Sequence, residues 1–351
     1  MKLNKPQIFT AELAVFPVDK STAFKDVFEI ISEGNFVLIE DLYSTGLQLM
    51  NTLKKRFSNL EKSNFKQSRK ERGGYRELSH RILVEVENHQ LLLKKAPDIP
   101  WLKKLYSEEE YFAISFPDAQ ALNSSWQWYK NGIAIPGLSH KIHPWYGVYF
   151  PTRFEHIELF NNWLNEYGGD KKRAYDIGSG SGILSFLLEK SGFKKVWATD
   201  INPNAIKSME EEINKHHYKK IEFKLGKLFA DENSKADLIV FNPPWLPEPT
   251  KNNHLDAAVY YSEELFSEFF QQSKERLYAD GKLVLLFSNL VNLTHPDETH
   301  PIEEELKNNK RFELDKLLKK QVSKASQKTK RYGSRRSQEM VELWILKLKS
   351  N

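Results

Sequence analysis

The chain has 351 residues, with 52 Lys and Arg against 47 Asp and Glu for a formal net charge of +5, and no cysteine. That length supports two domains, each able to bury a core, and the lack of cysteine excludes disulfides, cysteine-ligated zinc and thiol catalysis. Met1 to Lys20 holds no uninterrupted apolar segment of signal-peptide length, and Leu283 to Phe287 is only strand-sized, so the reading is a soluble, cytoplasmic protein without a membrane partner.

Residues 1–140 read as a mixed α+β domain. Leu47, Met50, Leu53, Phe57 and Leu60 recur at three- and four-residue intervals, the spacing of one helix face. Lys66 to Gly74 is polar and ends in two glycines, which predicts a loop or hinge. Ile82 to Glu87 has strand character. Trp126 to Lys130, then Asn131-Gly132, then Ile133 to Ile135 predict a hairpin, because Asn-Gly is a favoured two-residue turn. Pro136 to Pro151 is rich in proline, glycine and histidine and predicts a link into a second domain, residues 141–351. His140-x-x-His143 and His216-His217 lack a clear carboxylate partner at ligand spacing, so no metal is predicted.

From Arg173 onward strand and helix signals alternate. Strands are expected at Arg173–Ile177, Lys195–Asp200, Ile221–Leu225, Ala236–Phe241 and Lys282–Ser288, with helices between them, which gives a doubly wound α/β sheet. Phe312–Val322 and Val341–Leu348 follow, after a helix near Ile302–Asn308. The first strand runs into Gly178, Gly180 and Gly182, a turn in which a ligand can approach bare backbone, and a helix over Ile183–Ser191 comes next. A dinucleotide fingerprint needs glycine at position 183, where this chain has Ile183, and a nucleophile elbow needs serine where it has Gly180. Asp200 ends the second strand, placed to accept both hydroxyls of a ribose. Asn242-Pro243-Pro244-Trp245 ends the fourth, at the carboxyl edge where open parallel sheets bind ligands.

The pairing of Asp176-Ile-Gly-Ser-Gly-Ser-Gly182 with Asn242-Pro-Pro-Trp245 resembles the class I S-adenosylmethionine-dependent methyltransferases. Within them it resembles the (N/D)PP(Y/F/W) group, which methylates exocyclic amines of nucleobases or the side-chain amide of glutamine. The likeness spans roughly Tyr149 to Leu348. It implies a Rossmann-like seven-stranded sheet closed by a hairpin whose last strand is antiparallel, and S-adenosylmethionine as cofactor. It further implies that Asp176 lies near the methionine amino group, that Gly178, Ser179, Gly180 and Gly182 run along the methionine moiety, and that Asp200 holds the ribose. Ile201, Leu228 and Asn242 complete the expected cofactor contacts. Where the family has an acid for the adenine amine, often within G-D-L-F, this chain has Gly226-Lys227-Leu228-Phe229. Lysine cannot accept a hydrogen bond, so adenine is expected to rest on backbone, on Asp231 or against Leu228 and Phe229. Gly147 to Glu155 is similar in placement to the P-R-P-x-T-E segment of release-factor glutamine methyltransferases, which implies a pocket-lining role for Tyr149, Pro151 and Arg153.

With an already activated methyl donor, catalysis is mainly the aiming of a nitrogen lone pair. An amide or aryl amine becomes nucleophilic when its two N–H bonds are held by acceptors, here the Asn242 side-chain oxygen and the Pro243 carbonyl, the latter exposed by Pro244. Trp245 offers a flat face for a planar target. Lys62 to Arg81 holds seven basic residues against Glu71 and Glu77, and Lys324 to Arg336 holds six and no acid. If the penultimate strand is parallel to its neighbours, the second cluster, with Arg331, Arg335 and Arg336, overhangs the ligand edge and meets an anionic substrate. The expected function is methylation of a nucleobase amine in RNA. The alternatives are methylation of a protein glutamine amide, or a binding module that keeps the fold without catalysis, suggested by Lys227.

Overall fold

The computed structural model describes residues 1–10, 13–58, 73–247, 260–262, 264–296, 298–322 and 338–349. The chain divides into two units, Leu3–Asn131 and Gly132–Asn351, the latter taking Met1–Lys2 as well. The division falls at Asn131/Gly132, ahead of the 140/141 boundary expected from the Pro- and Gly-rich stretch.

In the first unit, β1 (Val15–Val18), α1 (Phe24–Ser32), β2 (Phe36–Ile39), α2 (Tyr43–Ser58) and α3 (73–79) precede β3 (Ile82–Glu87), β4 (Gln90–Leu91), α4 (Trp101–Leu105), β5 (Tyr111–Ser115) and α5 (Phe116–Asn131). β1, β2 and β3 pair in parallel, while β4 and β5 pair antiparallel to β3. β3 is its centre, with Ile82, Leu83, Val84 and Val86 wholly buried.

Two local expectations are overturned here. Trp126 to Lys130 is helical, the last turns of α5, because Trp126 and Tyr129 pack as a pair at three-residue spacing against Trp101, with ring centroids 5.4 and 4.8 Å away. Gly132 (φ +64°) follows the helix end, where a left-handed glycine is as apt as in a hairpin turn. Gly73 and Gly74, expected in a loop, begin α3. Residues 59–72, with most of the first basic cluster, lie outside the described residues.

The second unit contains β6 (Ile133–Ala134), β7 (Lys141–Ile142), α6 (Glu155–Glu166), β8 (Arg173–Ile177), α7 (Ile183–Lys190), β9 (Lys195–Asp200), α8 (Pro203–His216), β10 (Ile221–Leu225), β11 (Ala236–Phe241), β12 (Leu246–Pro247), β13 (Tyr260–Tyr261), α9 (Glu264–Arg276) and β14 (Leu277–Ser288). It closes with α10 (Leu290–Thr294), α11 (Pro301–Glu304), a π-helical turn over Glu305–Asn309, β15 (Phe312–Gln321) and β16 (Met340–Leu348). The main sheet has seven strands in the order β10-β9-β8-β11-β14-β16-β15. Only β16 runs against the rest, so β15 is parallel to β14.

The strand period of two sorts the core into two layers. On β11, Leu238 and Val240 face the layer covered by α6 and α7, and Ile239 and Phe241 face the layer of Phe266, Phe269 and Phe270 from α9. β14 divides likewise, with Val284 and Leu286 on one side and Leu283, Leu285 and Phe287 on the other. This is a doubly wound α/β sheet. No helix among the described residues is long and apolar enough to cross a membrane.

Candidate active site

Register brings the predicted residues together. Ile177 pairs with Thr199 on one side and with Phe241 on the other, so Gly178, Asp200 and Asn242, each the next residue of its strand, stand along one carboxyl edge. The turn after β8 is left-handed at Gly178 (φ +62°) and Gly180 (φ +52°). A Cβ at Gly178 would lie 3.3 Å from the Phe241 ring, and one at Gly180 would lie 3.2 Å from the Tyr149 carbonyl oxygen. Both conformation and space therefore require glycine. Ser179 is buried, its N–H donating to the Thr199 carbonyl at 2.9 Å, and Gly182 packs on Phe186 and Met209 as it starts α7.

Asp176 is 1% exposed, and one carboxylate oxygen, Oδ2, accepts from the Ser185 N–H at 2.9 Å and its hydroxyl at 2.6 Å. The other, Oδ1, has no hydrogen-bond partner among the described residues. Burial pushes its carboxyl up to about 7, against the lowering by Ser185 and with a further push from Asp200. A buried carboxylate with an orphaned oxygen suits a cationic group such as an amino acid ammonium. Asp200 accepts the Gly180 N–H on Oδ2 and the Asn202 N–H on Oδ1, both at 2.8 Å, and burial raises its carboxyl above the usual range. Each oxygen keeps a lone pair for a hydroxyl.

The adenine side differs from expectation. Leu228 is buried, Phe229 wholly so within the aromatic core, and the Leu228 carbonyl accepts the Thr199 hydroxyl. Lys227 turns to Glu268 at 2.5 Å. Neither Phe229 nor Lys227 is placed for the base, whereas Ile201, next to Asp200, is 58% exposed. Asp231 is exposed too.

Asn242 follows a fully buried strand, and its Oδ1 is buried without a hydrogen-bond partner among the described residues. Pro243 is buried, and Pro244 and Trp245 are partly so. The Trp245 indole N–H donates to the Leu286 carbonyl at 3.3 Å, and His156 meets the ring edge-on, centroids 5.4 Å apart. His156 escaped sequence reasoning although it follows Glu155 directly. Neither of its ring nitrogens has a hydrogen-bond partner among the described residues, and burial lowers its pKa to about 4, against the nearby Glu155 charge. It is neutral, and it walls the site rather than titrating in it.

Of the expected substrate contacts, Tyr149 is exposed, Pro151 is buried, and Arg153 pairs with Glu339 at 3.4 Å. Arg153 is thus tied to the start of β16. Arg331, Arg335 and Arg336 lie outside the described residues. The flanks of their segment are pinned beside the site, because Asn289, just past β14, donates to the Gln338 carbonyl and accepts from the Met340 N–H. In the first basic cluster Arg81 is engaged, donating to the Gly34 carbonyl and pairing with Glu77 at 3.6 Å.

The absence of a carboxylate partner, which argued against a metal at the histidines, does not hold in space. Glu212 joins His140 and His216, one ligand atom of each lying within 4.8 Å of the others. Glu212 stands four residues before His216 on α8, a helical spacing visible in the sequence.

Comparison with known proteins places the second unit in a family. Residues 157–314 match the methyltransferase small domain family. A Methanocaldococcus jannaschii homologue named protein N5-glutamine methyltransferase is 30% identical over 166 residues, 45% of this chain and 80% of that protein. A ribosomal protein L11 methyltransferase from Clostridium perfringens is 37% identical over 79 residues, 22% of this chain and 25% of its own. Among solved structures, a ribosomal protein L11 methylase from Lactobacillus delbrueckii subsp. bulgaricus superposes with TM-score 0.40 at 24% identity, over 58% of this chain and 83% of that one. The fold and the matched relatives define an S-adenosylmethionine-dependent methyltransferase. The chain belongs to class I of these enzymes, through its methyltransferase small domain.

Proposed function

We propose that this methyltransferase modifies a planar amine nitrogen, in the first instance an exocyclic amine of an RNA nucleobase. The observation that carries the reading is the Asn242 Oδ1, buried at the strand edge it shares with Gly178 and Asp200, with no hydrogen-bond partner among the described residues. Such an atom costs about 1–3 kcal/mol to leave unmade, a cost a substrate N–H relieves. S-adenosylmethionine, when bound, supplies a methyl group already activated by its sulfonium. The chain's part is to hold and aim. Asp176, Asp200 and the glycine turn carry the donor, with Ser179, Gly182, Ile201 and Leu228 around it. Asn242 and the Pro243 carbonyl hold the two N–H bonds, so that the nitrogen lone pair points at the methyl carbon. Trp245, fixed by its bond to Leu286, takes the planar target on its face, while neutral His156 and the prolines keep the wall dry. No tuned base is needed, because the proton leaves after transfer.

RNA is favoured as the carrier by the six basic residues without an acid between Lys324 and Arg336, whose flanks lie beside the site. Tyr149, Pro151 and Arg153 border the target, and the unit Leu3–Asn131 is read as the recognition domain. A second reading, a protein glutamine amide, draws on the relative named protein N5-glutamine methyltransferase. Both carriers present the same N–H geometry to Asn242. The Asn242→Ala variant should bind S-adenosylmethionine within about twofold of wild type while methyl transfer falls about 100-fold or more. Transfer at the wild-type rate would remove Asn242 from the mechanism.

A further inference from the structure

At the far end of α8 from the cofactor turn lies a second group of side chains that the methyl-transfer reading does not use. Asn204, Ser208, Glu212 and His216 recur every four residues and share one face of the helix. The segment from His140 to Gly147 runs along that face as a strap. Asn202 and Asn204 donate their side-chain amides to the Gly147 and Tyr146 carbonyls, each at 2.8 Å. The Trp145 N–H reaches the Ser208 hydroxyl at 3.2 Å, and the His143 N–H reaches Glu212 Oε1 at 2.9 Å. At the next step the pattern changes. His216 stacks its ring on His140 with centroids 3.7 Å apart. Glu212, 2% exposed, turns Oε2 toward His216 Nε2 at 3.4 Å, and neither atom has a hydrogen-bond partner among the described residues.

We propose that His140, Glu212 and His216 bind a divalent transition-metal ion of the zinc class, which clasps the strap to α8. Two bonds of about 2.0–2.1 Å at the tetrahedral angle put their ligand atoms about 3.3 Å apart. The Glu212–His216 separation of 3.4 Å matches that edge, and the edges to His140, within 4.8 Å, close by up to about 1.5 Å on binding as the two stacked imidazoles turn to bring their in-plane lone pairs together. Two imidazoles and one carboxylate are a borderline donor set suited to zinc. Imidazole binds such an ion through a ring nitrogen in its neutral form. Lys190 and Lys215 are exposed, and water screens their charge. The Tyr218 hydroxyl, 3.4 Å from His140 Nε2, steadies that ring. A pocket of about 420 Å³, lined in part by His140, His216, Glu189 and Tyr218, adjoins the two histidines and has room for water.

The 14 residues of α8 span roughly 20 Å, so this metal is remote from the methyl group. Its role is to fix one end of the strap, whose other end leads to Tyr149, against which Gly180 packs.

The test is metal titration of the full chain, free of any affinity tag and stripped with chelator. Wild type should take up about one equivalent of zinc, and cobalt(II) should give the visible absorption of a tetrahedral site. Glu212→Gln keeps an acceptor for the His143 N–H but loses the anion. It and His216→Ala should each weaken binding more than about 100-fold, whereas His217→Ala should not. Zinc should raise the melting temperature of wild type and leave that of Glu212→Gln unchanged, while the two melt alike in chelator. No stoichiometric uptake by wild type, or equal uptake by Glu212→Gln, would overturn the proposal. So would His217→Ala losing the metal while Glu212→Gln kept it.

Discussion

On the proposed reading, in which Asp176 receives the ammonium of the cofactor, this residue couples cofactor binding to pH. Its carboxyl is pushed up to about 7 by burial, so without ligand it holds its proton below neutrality. An ammonium binds the carboxylate form, and each pH unit below about 7 therefore costs a proton release worth about 1.4 kcal/mol. Affinity for S-adenosylmethionine should fall about tenfold per unit from pH 7 to pH 5.5. Asp176→Asn should bind weakly and flatly over that range, and calorimetry at pH 6 and 7.5 separates the two. A wild-type affinity independent of pH would place the ammonium elsewhere. Gly180 yields a steric prediction. Its φ of +52° and the Tyr149 carbonyl 3.2 Å from any Cβ make Gly180→Ala cost about 1–2 kcal/mol of folding stability, read as a lower midpoint in denaturant.

Among the elements, the strands of the large sheet were readable because their residues alternate between two buried layers, as Leu238, Ile239, Val240 and Phe241 do. The edge that gathers Gly178, Asp200 and Asn242 was readable too, since each ends its strand and parallel register aligns strand ends. Asn131-Gly132 misled because the dipeptide suits a helix end as well as a hairpin, and only the packing of Trp126 and Tyr129 on Trp101 decides between them. Phe229, one of the apolar residues expected against adenine, packs into the aromatic core, which sequence adjacency alone did not show, while Ile201, also expected to contact the cofactor, is exposed. His156 and Glu212 carry no motif, and only folding brings one to Trp245 and the other to His140. For the segment between β15 and β16, β15 is parallel to β14, so its flanks emerge at the ligand edge. Replacing Arg331, Arg335 and Arg336 with glutamate should abolish transfer to RNA while cofactor affinity stays within about twofold, because phosphate contacts act on the polymer alone. Unchanged transfer would leave that cluster as solvated surface.

At the scale of the whole molecule, a methyltransferase unit spanning Gly132–Asn351 is joined to a separately cored α+β unit, Leu3–Asn131. The basic residues of the sequence gather in two stretches, one between Lys62 and Arg81 and one between Lys324 and Arg336. Saturation with S-adenosylmethionine to about 100 times its dissociation constant should stabilise the unit that binds it by about 2.7 kcal/mol. The most direct measurement incubates wild type and Asn242→Ala with methyl-labelled S-adenosylmethionine and cell extract, then digests the product separately with nuclease and protease. Label incorporated by wild type alone, released by nuclease and resistant to protease, is the predicted result. Label released only by protease would contradict the RNA assignment, and equal labelling by Asn242→Ala would contradict the proposed chemistry itself.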